Sequence, residues 1–229
     1  MTNILDAINE LADTPNEMLD HLPKWVRTLS EICREAREQA DQATKANPQG
    51  ATKSAQPKST LSNQKWRFLE GEFLTNAIDG ALQHAGIYSA TAPDKRRNEL
   101  REHLRDSLRR IAREYHRPAA ASEREHYSNI QSLADELSSN FSDVMKDRFR
   151  IGVAQKALNL YLKYLWCLDR IPVPPHCPFD STVLRELELE SSWTRSSKIE
   201  DYKNWVERAR AAAGTTTLAE WELQLWNRK

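Results

Sequence analysis

Lys156 lies one turn into a strongly apolar stretch, Val153-Ala154-Gln155-Lys156-Ala157-Leu158, directly behind the lone glycine of Arg150-Ile151-Gly152-Val153. Asp180 follows beyond a crossing that carries Pro172, Pro174, Pro175 and Pro178. An amine and a carboxylate of this kind make a nucleophile with a charge-stabilising or proton-transferring partner. Gly152, set between two helical patterns, predicts a tight turn, because glycine accepts backbone angles that other residues resist. A helix beginning there starts with unpaired N–H groups, and these, with the positive end of the helix dipole, bind a phosphate without any basic side chain. Together these are the parts needed to hold a DNA backbone and attack a sugar carbon.

The elements that must position these groups are helical. Leu100, Leu104, Leu108, Ile111 and Tyr115 form the apolar face of a helix over 94–117, stopped by Pro118. Residues 119–127 read as a turn, and a further helix over 126–144 buries Ile130, Leu133, Leu137 and Phe141. Residues 153–168 are so apolar that this helix is expected at the centre of the core. The prolines impose an extended crossing, after which a short helix starts at Ser181, with Ser181 and Thr182 able to cap it. Two closing helices, 202–213 and 218–226, are split by Gly214, with Thr217 as the N-cap of the second. Upstream, Trp66, Leu69, Phe73, Leu74 and Ile78 sit at helical spacing, in an element that Gly80 or Gly86 would end. An N-terminal helical segment over 1–44 carries its own apolar stripes, and 45–60 reads as a flexible linker or loop. The expected organisation is therefore all-α: an appended segment 1–44, a linker 45–60, and a helical catalytic domain 61–229.

Composition limits the function classes. Lys and Arg together number 33, matched by 33 Asp and Glu, so no global basic field advertises nucleic acid, and any DNA surface must come from local charge segregation. No apolar run approaches the length of about 20 residues that spans a bilayer, and the acidic, helical N-terminus is unlike a secretory signal. Cys33, Cys167 and Cys177 are scattered, which suggests free thiols in a reducing compartment and no zinc or iron–sulfur site. The chain reads as cytoplasmic, without membrane association, metal or cofactor. Its oligomeric state is left open, with a monomer as the expectation.

Gly152-Val153-Ala154-Gln155-Lys156 resembles the hairpin of the helix-hairpin-helix DNA glycosylases, where a Gly-hydrophobic-Gly-x-Lys run leads into a helix. Pro178-Phe179-Asp180-Ser181-Thr182-Val183 is similar to that family's Pro-Val-Asp-x-x-Val segment. The order of helices, hairpin, lysine, crossing, aspartate and closing helices agrees, and the layout is most like the compact archaeal-type oxoguanine glycosylases. Ala154 stands where the family has its second glycine, and the crossing is lengthened around Val173–Cys177. The resemblance is sharp over 150–184 and architectural elsewhere. It implies DNA as partner, with Ile151, Gly152, Val153, Ala154 and Gln155 holding phosphate. It further implies that Lys156, its amine desolvated in an apolar helix, attacks C1′ of a flipped nucleotide. The base is then expelled and a Schiff base remains, from which the 3′ phosphate can be eliminated. Asp180 would stabilise the oxocarbenium charge or assist proton transfer. Repair and defence against phage DNA with modified bases are both open as settings.

Asn159 and Lys163 follow Lys156 around one helix, and His176, Cys177 and Trp193 lie near Asp180 in sequence. These five are candidates for the base pocket. Arg97, Arg101 and Arg105 begin a stripe of arginines at every fourth residue and are candidate phosphate contacts, although solvated helix decoration paired to nearby acids accounts for the same spacing. The alternative to an enzyme is a helical module that binds DNA or a partner protein, with the hairpin as its phosphate clamp.

Overall fold

The computed structural model describes residues 30, 31, 34 and 35, residues 58–116 and residues 121–226, with side chains from 61 onward in the second of these ranges. The apolar stripes proposed within 1–44, most of the 45–60 linker and the Pro118 stop lie outside the described residues. The chain divides into two compact units, residues 1–61 and 62–229. In the first, the four residues described between 30 and 35 are helical.

From residue 58 onward there are seven α-helices: α1 (Lys58–Leu82), α2 (Asp94–Ala112), α3 (Glu123–Asn140), α4 (Ile151–Cys167), α5 (Ser181–Glu186), α6 (Ile199–Ala213) and α7 (Leu218–Trp226). No strand occurs among the described residues; a single antiparallel bridge joins Tyr88 to Met145. The architecture is all-α, and no described helix is long and apolar enough to cross a membrane.

Helix α4 is the centre. Every residue from Ile151 to Asn159 is buried, and the helix packs against α2, α3, α6 and a 3-10 turn at Trp193–Arg195. A helix covered on all sides has no solvated face on which to place polar groups. Gln155, Lys156 and Asn159 must therefore find partners inside the protein.

Helix α3 begins earlier than its apolar periodicity predicts. Ser122 accepts a hydrogen bond from the Glu125 N–H (3.3 Å), and the Glu125 carboxylate accepts one from the Ser122 N–H (2.8 Å), a reciprocal capping box. Within the segment 119–127, residues 123–127 thus belong to the start of a helix. Ser122→Ala removes one half of the box, and a loss of about 1 kcal/mol is expected in a denaturant melt.

Three arginines of α2 fasten that helix to α1. Arg101 pairs with Asp79, Arg109 lies 3.4 Å from Glu70, and Arg105 donates to Gly71 O (3.4 Å) and Thr75 Oγ1 (3.3 Å). Arg97 reaches Asp94 (3.8 Å) and Ser89 O (3.3 Å) and lies over the Tyr88 ring. The proposal of Arg97, Arg101 and Arg105 as phosphate contacts is corrected on this point: their guanidinium groups already serve intramolecular partners, of which only Asp94 for Arg97 and Glu102 for Arg105 (3.4 Å) are the i, i+3 pairs that helical charge spacing favours.

Candidate functional site

Lys156 and Asp180 meet. The Lys156 ammonium donates to Asp180 Oδ2 at 2.8 Å, although the two residues belong to different elements joined by the proline crossing. Burial would raise the Asp180 carboxyl, but the adjacent ammonium and two backbone N–H groups outweigh it and hold the carboxyl below the usual aspartate range. Those N–H groups belong to Thr182 (2.9 Å) and Val183 (3.1 Å), so Asp180, not Ser181 or Thr182, is the N-cap of α5. One carboxylate therefore starts a helix with one oxygen and holds a buried amine with the other. The lysine side chain is 10% exposed and the aspartate side chain 31% exposed, so the pair opens to solvent on the aspartate side. The amine is half of an ion pair and not an isolated group among apolar neighbours, which corrects the picture of desolvation alone.

A second ion pair stands beside the first. Lys163, two turns further along α4, contacts Glu222 of α7 at 2.6 Å. Burial raises the Glu222 carboxyl and Asp180 adds to the rise, against the opposing pull of Lys163 and Lys156. The Lys163 ammonium also lies 5.7 Å from the centre of the Trp226 ring. Asp180, Thr182, Val183, Glu222, Leu225 and Trp226 line a cavity of about 110 Å³. Trp226 is 55% exposed, so its indole offers an aromatic surface at the mouth.

Glu222 and Trp226 were not among the residues expected at the site. The signal was present, however. Leu218, Glu222 and Leu225 recur at helical spacing, which places an acidic residue on the buried face of α7. Its partner had to be a cation from another element, and that is a tertiary fact.

Four of the five proposed base-pocket residues are core residues and do not line this cavity. Asn159 and His176 are fully buried and share hydrogen bonds with Tyr202. Burial pushes the Cys177 thiol far up, and the residue is packed away. Trp193 is buried with its indole N–H on Ser181 Oγ at 3.2 Å. Only Lys163 stays at the site, through Glu222.

The hairpin is likewise corrected. Gly152 falls inside α4, and ten non-helical residues, from Phe141 to Arg150, separate α3 from α4. The Gly152 N–H donates to Ser196 O (3.0 Å), and the Val153 and Ala154 N–H groups donate to Arg150 O (both 3.0 Å). Ile151, Gly152, Val153, Ala154 and Gln155 are all buried. A phosphate has no route to these amides. The glycine is required for a different reason: a Cβ there would lie 1.7 Å from the carbonyl oxygen of Trp193.

Deeper in, the His126 and His176 rings stand 4.6 Å apart, edge to face. Burial pushes His126 down from 6.5 to about 4, against weaker opposing effects of Asn159 and Glu123. An imidazole that stays neutral when folded but protonates when unfolded makes stability fall with pH. The loss begins as pH drops below the unfolded value near 6.5 and is complete once it passes the folded value. For His126 this is about 3 kcal/mol, developing between about pH 6.5 and about pH 4. Urea melts across that range should show the decline, and His126→Gln should reduce it without removing it, because burial also holds the adjacent His176 imidazole well below its ordinary value.

Among the described residues, no group of three or more His, Cys, Asp or Glu is placed to hold a metal ion. Comparison with protein-family models, with curated proteins and with solved structures finds no match.

Proposed function

We propose that the protein is a DNA glycosylase with an associated abasic-site lyase step, acting on a damaged or modified base. One observation carries the reading: a buried lysine amine and a partly exposed carboxylate, 2.8 Å apart, beside a small cavity with an aromatic ring at its mouth. In this reading the Lys156 amine, after giving its proton to solvent, attacks C1′ of an extrahelical nucleotide, while the ionised Asp180 carboxylate stabilises the developing oxocarbenium charge. The N–C1′ bond forms as the base departs with the glycosidic electron pair and a proton. The sugar ring opens to an imine on Lys156, and loss of the C2′ proton then expels the 3′ phosphate. Trp226 supplies a stacking face for the flipped nucleotide, and the Glu222–Lys163 pair supplies adjacent acceptor and donor groups.

The amides assigned to the phosphate clamp, which this reading and the alternative of a helical DNA- or protein-binding module shared, are buried and mostly bonded elsewhere, so the two readings now divide on covalent chemistry. The test is borohydride reduction of the protein with oligonucleotides that carry an abasic site or a panel of modified bases. A trapped covalent adduct supports the reading. DNA binding without any adduct or released base refutes it.

A further inference from the structure

Behind the Lys156–Asp180 pair runs an unbroken chain of buried polar groups. Gln155 clamps both sides of one peptide residue: its amide nitrogen donates to Phe179 O (2.7 Å) and Gly152 O (2.9 Å), while its oxygen accepts from Phe179 N–H (3.1 Å). Phe179 immediately precedes Asp180. The same Gln155 oxygen accepts from Asn159 Nδ2 (3.2 Å), which also donates to the Tyr202 hydroxyl (3.0 Å). The Tyr202 hydroxyl lies 2.8 Å from His176 Nδ1.

The hydrogen-bond directions are set by counting. Asn159 uses both amide hydrogens, on Gln155 and Tyr202. Tyr202 therefore accepts from Asn159 and has its own hydrogen left to give to His176 Nδ1, so the imidazole carries its hydrogen on Nε2. Gln155, Asn159, Tyr202, His176 and Phe179 are all 0% exposed. Such a chain holds one arrangement because no water can replace a lost partner.

We propose that Gln155, Asn159 and Tyr202 are positioning residues that fix the Phe179–Asp180 backbone so that the Asp180 carboxylate sits in register with the Lys156 amine. This rests on the glycosylase reading for its catalytic consequence, but its geometric content does not. Phe179 is held on two fronts. Its peptide is gripped by Gln155, and its ring packs on Tyr202 and Trp205, with centroids 5.6 and 6.2 Å away. The proline crossing itself makes no helix or strand ladder, so its end would otherwise be free to shift. A displacement of about 1 Å at reacting groups lowers a rate by up to about a hundred-fold.

Two variants test this. Gln155→Met keeps the shape and removes the clamp. Tyr202→Phe keeps the ring against Phe179 and removes only the hydroxyl, a milder change that guards against failure to fold. The first readout needs no activity: the Asp180 carboxyl is titrated by NMR with carbon-13 at aspartate Cγ, the signal being assigned with Asp180→Asn. Both folded variants should show the Asp180 midpoint raised by about half a unit or more as the carboxylate loses its register. A midpoint unchanged from wild type in a folded variant overturns the proposal.

The second readout is single-turnover adduct trapping on abasic DNA at saturating concentration. Positioning predicts a rate constant lower by about ten-fold with the final amplitude and the DNA half-saturation unchanged. A purely structural role would lower the amplitude, which counts active molecules, and leave the rate constant alone. That result also overturns the proposal. If wild-type protein traps no adduct, the glycosylase reading fails by itself, and the titration still decides whether the chain positions Asp180.

Discussion

Lys156→Gln should abolish the borohydride-trapped adduct, with a fall of at least about a thousand-fold, because the nucleophile itself is gone. The fold should survive. Asp180 keeps the Thr182 and Val183 N–H bonds that cap α5, and the glutamine amide can donate into the space of the lost ammonium. Removing one member of a buried ion pair costs about 3–5 kcal/mol, and the partial exposure of Asp180 places this pair at the lower end. Lys156→Arg separates the two contributions: it retains a cation for Asp180 but offers no neutral nitrogen at working pH. Equal loss of adduct in both variants, with the arginine protein the more stable, is the expected pattern. An adduct persisting at the wild-type rate would assign the nucleophile to another amine.

Gly152→Ala should be the most damaging small substitution in the described chain. The added methyl would sit 1.7 Å from Trp193 O and 2.7 Å from the Trp193 carbonyl carbon, and both obstacles are backbone atoms. Side chains can rotate away; a peptide cannot do so without moving the 3-10 turn and the Ser196 carbonyl that accepts the Gly152 N–H. A loss of about 3 kcal/mol or more is expected. For a chain of this size that lowers the melting temperature by about 6–12 °C. Thermal melts monitored by far-UV circular dichroism measure it directly. A neutral outcome would mean that the α4 start is loosely seated. Gly71→Ala is the matched control, since a Cβ there meets nothing within 4 Å.

These two residues also show how far a sequence can be read. The helices were legible wherever apolar residues repeat at helical spacing, as in α2 and α4, because burial of one face demands that repeat. Thr217 was legible as a cap, and its hydroxyl does face the Glu220 carboxylate and N–H. The Ser122–Glu125 box is equally legible from its spacing, and it starts the helix ahead of the apolar repeat that begins near His126. At Gly152 the backbone freedom of glycine predicts a tight turn, whereas the residue serves the close approach of the Trp193 backbone. A glycine permits both a turn and a close approach of backbone, and only the position of Trp193 decides between them.

What the sequence alone determined was the all-helical character, the centrality of the helix that carries Lys156, and the singling out of Lys156 and Asp180 as unusual for their surroundings. Those follow from local periodicity, from the cost of placing the Lys156 charge in an apolar run, and, for Asp180, from its place beyond the proline crossing in a segment similar to the glycosylase motif. Only the tertiary structure decided that the amine and the carboxylate touch, that Glu222 and Trp226 line the cavity beside them, and that Arg101, Arg105 and Arg109 of α2 are committed to α1. Each of these depends on which faces of distant elements are brought together, and packing sets that through contacts between residues whose separation along the chain carries no repeating pattern.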